Sequence, residues 1–131
     1  MVGPKKMITL KNKAFRDEVY GSRIKIFAGM SIEKFTELFN KEESQKLSPS
    51  QFRNTHLCVY HFFDVEFSES IRDLIVLYSC ERKIPLSWLA HELIHIKNIV
   101  FWSRNVKSGY DNDEHESCFY EFLFRKIVEE K

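Results

Sequence analysis

One pentapeptide in this chain has residue types and spacing that can do chemistry: His91-Glu92-Leu93-Ile94-His95, an H-E-x-x-H pattern. Residues four apart on an α-helix stand one above the other, so His91 and His95 can offer two imidazoles to one metal ion. Glu92 then flanks that metal, where a carboxylate can take a proton from a bound water. This is the pattern of a zinc hydrolase helix, with Zn2+ as the implied cofactor. Two blander uses stay open for the same residues: hydrogen-bonded core histidines, or a metal site kept for structure or binding without catalysis.

A two-histidine site needs a third protein ligand and an open position for water. Glu114 suits the third role. It lies nineteen residues after His95, enough for the rest of one helix, a turn and a return, and it falls in the first turn of the last helix. Glu121 shares its face and ranks second, whereas Glu116 should point about 160° away. His115 faces sideways from Glu114 and reads as bordering the site. A developing oxyanion wants a further donor, for which Tyr110, His115 and Tyr120 are the candidates.

The elements that must position these residues follow from the periodicity. Met7 to Lys13 and Arg23 to Ala28 alternate like strands, punctuated by Gly21 and Gly29. Ser31 is placed to cap a helix from about Ile32 to Glu43, with Ile32, Phe35, Leu38 and Phe39 at helical spacing. Lys41 to Gln51 reads as a polar loop. Thr55 to Val65 and Asp73 to Ser79 are rich in strand formers, with a turn at Ser68 to Ser70. Leu74 to Tyr78 is continuously apolar, which predicts a strand buried on both faces.

Pro85 opens the motif helix, which runs to about Ser103. A loop from Asn105 to Asp113 leads to a last helix from about Asn112 to Glu129. The metal-site helices are thus about 85–103 and 112–129. The order β-β-α-β-β-α-α predicts one α+β domain over 1–131, a small, mostly antiparallel sheet packed against the motif helix and the C-terminal helix.

The motif helix carries two apolar faces. Leu86, Leu89, Leu93, Ile96 and Val100 form a stripe sufficient to dock it on a sheet. The histidines share the opposite side with Trp88, Ile99 and Trp102, and the final helix is the expected cover for that side. On this reading both tryptophans are core. His56 and His61, at odd spacing, fall on opposite faces of one strand and are unrelated to the metal. Cys58 is a small core residue, and Cys118, on the face of Glu114, is the cysteine worth probing.

These stretches resemble the small gluzincin-type, zincin-like proteins of bacteriophages and mobile elements of gut bacteria. Their pattern of A-H-E-x-x-H, then an acidic D-N-x-E, then small and aromatic residues, is matched by Ala90 to His95, by Asp111-Asn112-Asp113-Glu114 and by Ser117-Cys118-Phe119-Tyr120. The resemblance covers roughly residues 85 to 125. It implies a zincin-like fold, zinc held by His91, His95 and Glu114, Glu92 as catalytic base, and a peptide or protein substrate. It also implies a strand beside the motif helix that pairs with extended substrate, either Leu74 to Tyr78 or its neighbour. Larger gluzincins often carry an Asp four residues after the ligand Glu to orient a histidine; here that position is Cys118. No third histidine follows at metzincin spacing. The alternative within this resemblance is a non-catalytic, zinc-binding phage interaction protein.

The bulk numbers allow a small enzyme. At 131 residues the chain can bury a core without staples, and twelve Phe predict one packed with aromatic rings. A formal charge of +1, with its basic residues scattered, gives no case for nucleic acid or an anionic membrane. Cys58, Cys80 and Cys118 are an odd number without a C-x-x-C pair, which argues against a disulfide framework. With no signal-like apolar run and no membrane-length segment, the expected compartment is a reducing cytoplasm, that of the bacterial host if the chain is phage-encoded. The oligomeric state is not encoded in any of these features.

Overall fold

The apolar run predicted to be buried on both faces is the centre of the sheet. In a computed structural model, which describes residues 6–18, 20–52, 56–64, 72–103 and 113–129 (without the side chains of 63, 64, 72, 73, 113–115 and 129), it forms β5 (Arg72–Ser79). Every side chain over 74–78 is at most 4% exposed. One neighbour is β3 (Arg23–Ala28), paired in parallel; the other is β4 (Leu57–Asp64), paired antiparallel. Antiparallel β2 (Lys13–Arg16) completes the order β2-β3-β5-β4. The sheet is therefore mixed, with two antiparallel pairings and one parallel one, and its central strand needs cover on both faces.

Successive β5 side chains alternate between two cores. Leu74, Val76 and Tyr78 pack with α1 (Ile32–Glu43); Ile75 and Leu77 pack with α2 (Leu86–Ser103) and α3 (Asp113–Phe124). The phenylalanines are shared between the two cores, and the densest ring packing centres on α1. There the ring of Phe35 has Phe27, Phe39, Phe52, Tyr60 and Tyr78 around it, at centroid distances between 4.9 and 6.2 Å. Ser31 caps α1 as its side-chain chemistry predicts, accepting from the Lys34 N–H at 3.2 Å.

Two sequence expectations need correction, and both concern how α2 is anchored. The single strand expected from Met7 to Lys13 is two. β1 (Met7–Thr9) pairs antiparallel with an unexpected short β6 (Lys83–Pro85). The chain then turns at the fully buried Leu10, whose N–H donates to the Arg82 carbonyl at 2.7 Å. It re-enters the larger sheet at β2, beside Asn12, whose side-chain oxygen accepts from the Ala28 N–H at 2.7 Å. Pro85 ends β6 rather than opening the helix. The first helical N–H, that of Leu86, donates to the Lys6 carbonyl at 2.9 Å, so the β1–β6 ribbon grips the start of the motif helix.

α3 continues into a wider π-type turn over Arg125–Glu129, which matches the expected end of the last helix. The expected turn at Ser68 to Ser70, Tyr110 and the loop before Asp113 lie outside the described residues. No helix among the described residues is long and apolar enough to cross a membrane.

Candidate metal centre

α2 docks by the stripe its periodicity marks: Leu89, Leu93, Ile96 and Val100 are at most 4% exposed, and Leu86 is half-buried. His91 and His95 are exposed on the other side. One helical turn apart, they bring their Nε2 atoms to 3.1 Å, with ring planes at 81°. Two imidazole nitrogens on one tetrahedral zinc ion stand roughly 3.3 Å apart. A pair at this distance shares either one proton or one cation, and its nitrogens suit borderline metals such as Zn2+.

Glu92 sits on the shoulder between the buried stripe and the histidine side. It is 8% exposed. Burial pushes its carboxyl above the usual range, and the nearby charges of His95 and His91 pull it back only in part.

These three residues lie in a groove between α2 and β4. One half, about 450 Å³, is lined by Leu57, Val59, Glu92, His95, Asn98 and Trp102, among others. The other half, about 460 Å³, is lined by His56, Leu57, Ser87, Trp88, His91 and Glu92. Leu57, His91 and Glu92 belong to both halves, so the candidate chemistry sits at their junction. β5 is enclosed by β3 and β4, which removes residues 74–78 as a substrate-pairing strand. Its neighbour β4 is the strand that borders the groove.

No protein-family model, curated protein or solved structure matches the chain. The site is therefore read from its own residues.

Glu114 stands in the first turn of α3 by its backbone, but its side chain and that of His115 lie outside the described ones. Among the described residues no three His, Cys, Asp or Glu side chains gather around one point. Glu116 pairs with Lys97 at 3.4 Å, and Glu121, at the surface, pairs with Arg125. Tyr120 packs on the same Lys97, whose ammonium lies 5.9 Å from its ring centre. Lys97 is about 160° round the helix from His95, so the structure does not bring Tyr120 to the histidines. Cys118 is exposed.

The expected cover is also different. The described contacts of α3 with α2 include Lys97 and Phe101, whose ring centre is 5.8 Å from that of Phe119, within the cluster that also holds Ile96 and Leu123. The side carrying Trp88, Ile99 and Trp102 instead borders the groove. Neither tryptophan is core: Trp88 is 38% exposed and Trp102 is 69% exposed.

His56 and His61 are not on opposite sides of the sheet with respect to α2. His56 precedes β4, so strand parity does not govern it. Its ring meets Trp88 edge-on at 5.9 Å, and that of His61 meets Trp102 at 6.3 Å. Cys58 packs partly buried in the α1 core, where burial pushes its thiol up to about 11.

Two features escaped the sequence reading. Lys97 is a buried lysine, 5% exposed; its place one turn from both Leu93 and Phe101 was the available signal. Cys80 brings its Sγ to 3.0 Å from His56 Nδ1, a contact between residues far apart in sequence that no local pattern reveals.

Proposed function

We propose that this chain is a zinc-dependent peptidase of zincin-like type. The observation that carries the reading is the 3.1 Å approach of the His91 and His95 Nε2 atoms, set beside a buried carboxylate in an open groove. In this reading His91, His95 and Glu114 hold the metal. Bound zinc would supply a Lewis acid that polarises a scissile carbonyl and acidifies water. Glu92 takes the proton of the attacking water and passes it to the leaving nitrogen; its burial raises the affinity for that proton. The walls formed by Leu57 and Val59 on β4 hold an extended peptide alongside α2.

A second reading is a non-catalytic, zinc-binding interaction protein. It draws on the exposure of Trp102 beside the histidines, since exposed indoles are common anchors in protein interfaces. Hydrolysis of an unfolded protein substrate by the zinc-loaded chain and by its Glu92→Gln variant separates the two. The peptidase reading expects Glu92→Gln to keep zinc and lose on the order of 10² or more in rate. A zinc-loaded wild type that cleaves nothing moves the interaction reading to first place.

A further inference from the structure

Trp88 and Trp102 stand at opposite ends of one groove, each exposed and each faced by a histidine. α2 already docks through its buried stripe, so the two indoles on its other side are not needed to hold it to the sheet. An indole left exposed forgoes the burial of one of the largest apolar surfaces a side chain offers. The two groove halves end at these residues: Trp88 lines the half with His56 and Ser87, and Trp102 the half with Asn98 and Ile99. Cys80, against His56 Nδ1 at 3.0 Å, helps to fix the imidazole that meets Trp88.

The spacing selects the occupant. The tryptophans are fourteen positions apart on one helix, about 21 Å at the rise of an α-helix. An extended peptide covers that length in about six residues. The histidine pair lies about 7 Å along the helix from Trp88 and about 14 Å from Trp102, which divides such a peptide into about two residues on one side and four on the other. Among the described lining residues there is no Lys or Arg, and Glu92 is the one carboxylate. A phosphate backbone finds no Lys or Arg among those residues to pair its successive charges, whereas an uncharged peptide with apolar ends meets matching walls.

We infer that Trp88 and Trp102 are the specificity-determining ends of the substrate groove, selecting an extended peptide of about six residues with a large apolar side chain at each end. This deepens the peptidase reading and rests on it for the word substrate.

The test uses binding, so that it can fail separately from catalysis. Fluorescent hexapeptides with Phe at both, either or neither end, and Ala and Ser elsewhere, are titrated against the zinc-treated Glu92→Gln protein, alone and with Trp88→Ala or Trp102→Ala. Trp88→Arg serves as a second variant, which keeps a long solvated side chain and removes the flat apolar wall. The doubly Phe peptide is expected to bind about tenfold or more tighter than the Phe-free one. Each Trp variant should remove about fivefold or more, and only for peptides carrying Phe at one particular end.

Equal affinity for all four peptides, or Trp variants within twofold of the parent, overturns the inference. So does tighter, Trp-dependent binding of a single-stranded oligonucleotide in the same assay. If the wild type takes up zinc and cleaves protein while the Trp variants bind normally, only this inference falls. If peptides bind in the expected pattern without zinc or cleavage, the groove assignment stands and the peptidase reading falls.

Discussion

The imidazoles of His91 and His95 meet at 3.1 Å on the exposed side of a helix whose opposite side is sealed by Leu89, Leu93, Ile96 and Val100. The same packing that seals the helix buries Glu92 at the margin of the seal. A carboxylate held there is placed for proton transfer at a cost in stability.

That cost can be measured. Replacing Glu92 by Gln removes a desolvated charge with little change in shape. In metal-free protein, Glu92→Gln should unfold in urea at a midpoint equal to or above wild type, with a gain of up to about 1 kcal/mol. A loss of more than about 1 kcal/mol would mean that Glu92 serves the fold instead of the groove.

Much of the frame was legible in the sequence because each element had a local cause. The continuous run at residues 74–78 gave a doubly buried strand, Ser31 gave a cap, and the stripe on α2 gave its docking face. The break at Leu10 was not legible, since a buried leucine fits a continuous strand as well as a turn between two sheets. The fate of Trp88 and Trp102 was misread for a related reason. An apolar face implies a cover, but periodicity cannot say whether the cover is a helix or a groove wall. The histidine pair was legible from helical geometry alone; the company of His56 and His61 depends on how β4 lies along α2, which only the fold decides.

Lys97 is buried against Glu116 and lies 5.5 Å from the ring centre of Phe101. Lys97→Met keeps most of the unbranched apolar stem and deprives Glu116 of a charge partner. Urea unfolding should show a loss of about 1–3 kcal/mol. The site faces the other way, so zinc content per folded molecule should be unchanged.

Phe35 is the hub of the aromatic core on the far side of the sheet. Phe35→Ala should cost about 3–5 kcal/mol in equilibrium unfolding. A much smaller loss would show that the α1 layer contributes less to the fold than its ring contacts require.

Stability should also fall in acid through a cluster remote from the groove. Burial alone would push Glu43 up, but hydrogen bonds from Lys25 and Arg23, with their charges, outweigh it and hold the carboxyl below the usual range. A lowered folded pKa means the stabilisation is present above the unfolded carboxylate value, about 4.3, and is lost as pH falls through the folded one. Solvent screening keeps the contribution to about 1 kcal/mol. Wild type should therefore exceed Glu43→Gln in stability at pH 7, and the gap should close toward pH 3. A gap that persists at pH 3 would contradict an ionic origin.

The most direct test of the metal centre is the zinc content of the purified chain beside His91→Ala and Glu114→Ala. Near one zinc per wild-type chain is expected, by native mass spectrometry or elemental analysis, with both variants folded and depleted. A wild type that neither carries zinc nor takes it up when it is added would contradict the metal centre. Zinc retained by Glu114→Ala would leave the histidine pair in place and assign the third ligand elsewhere.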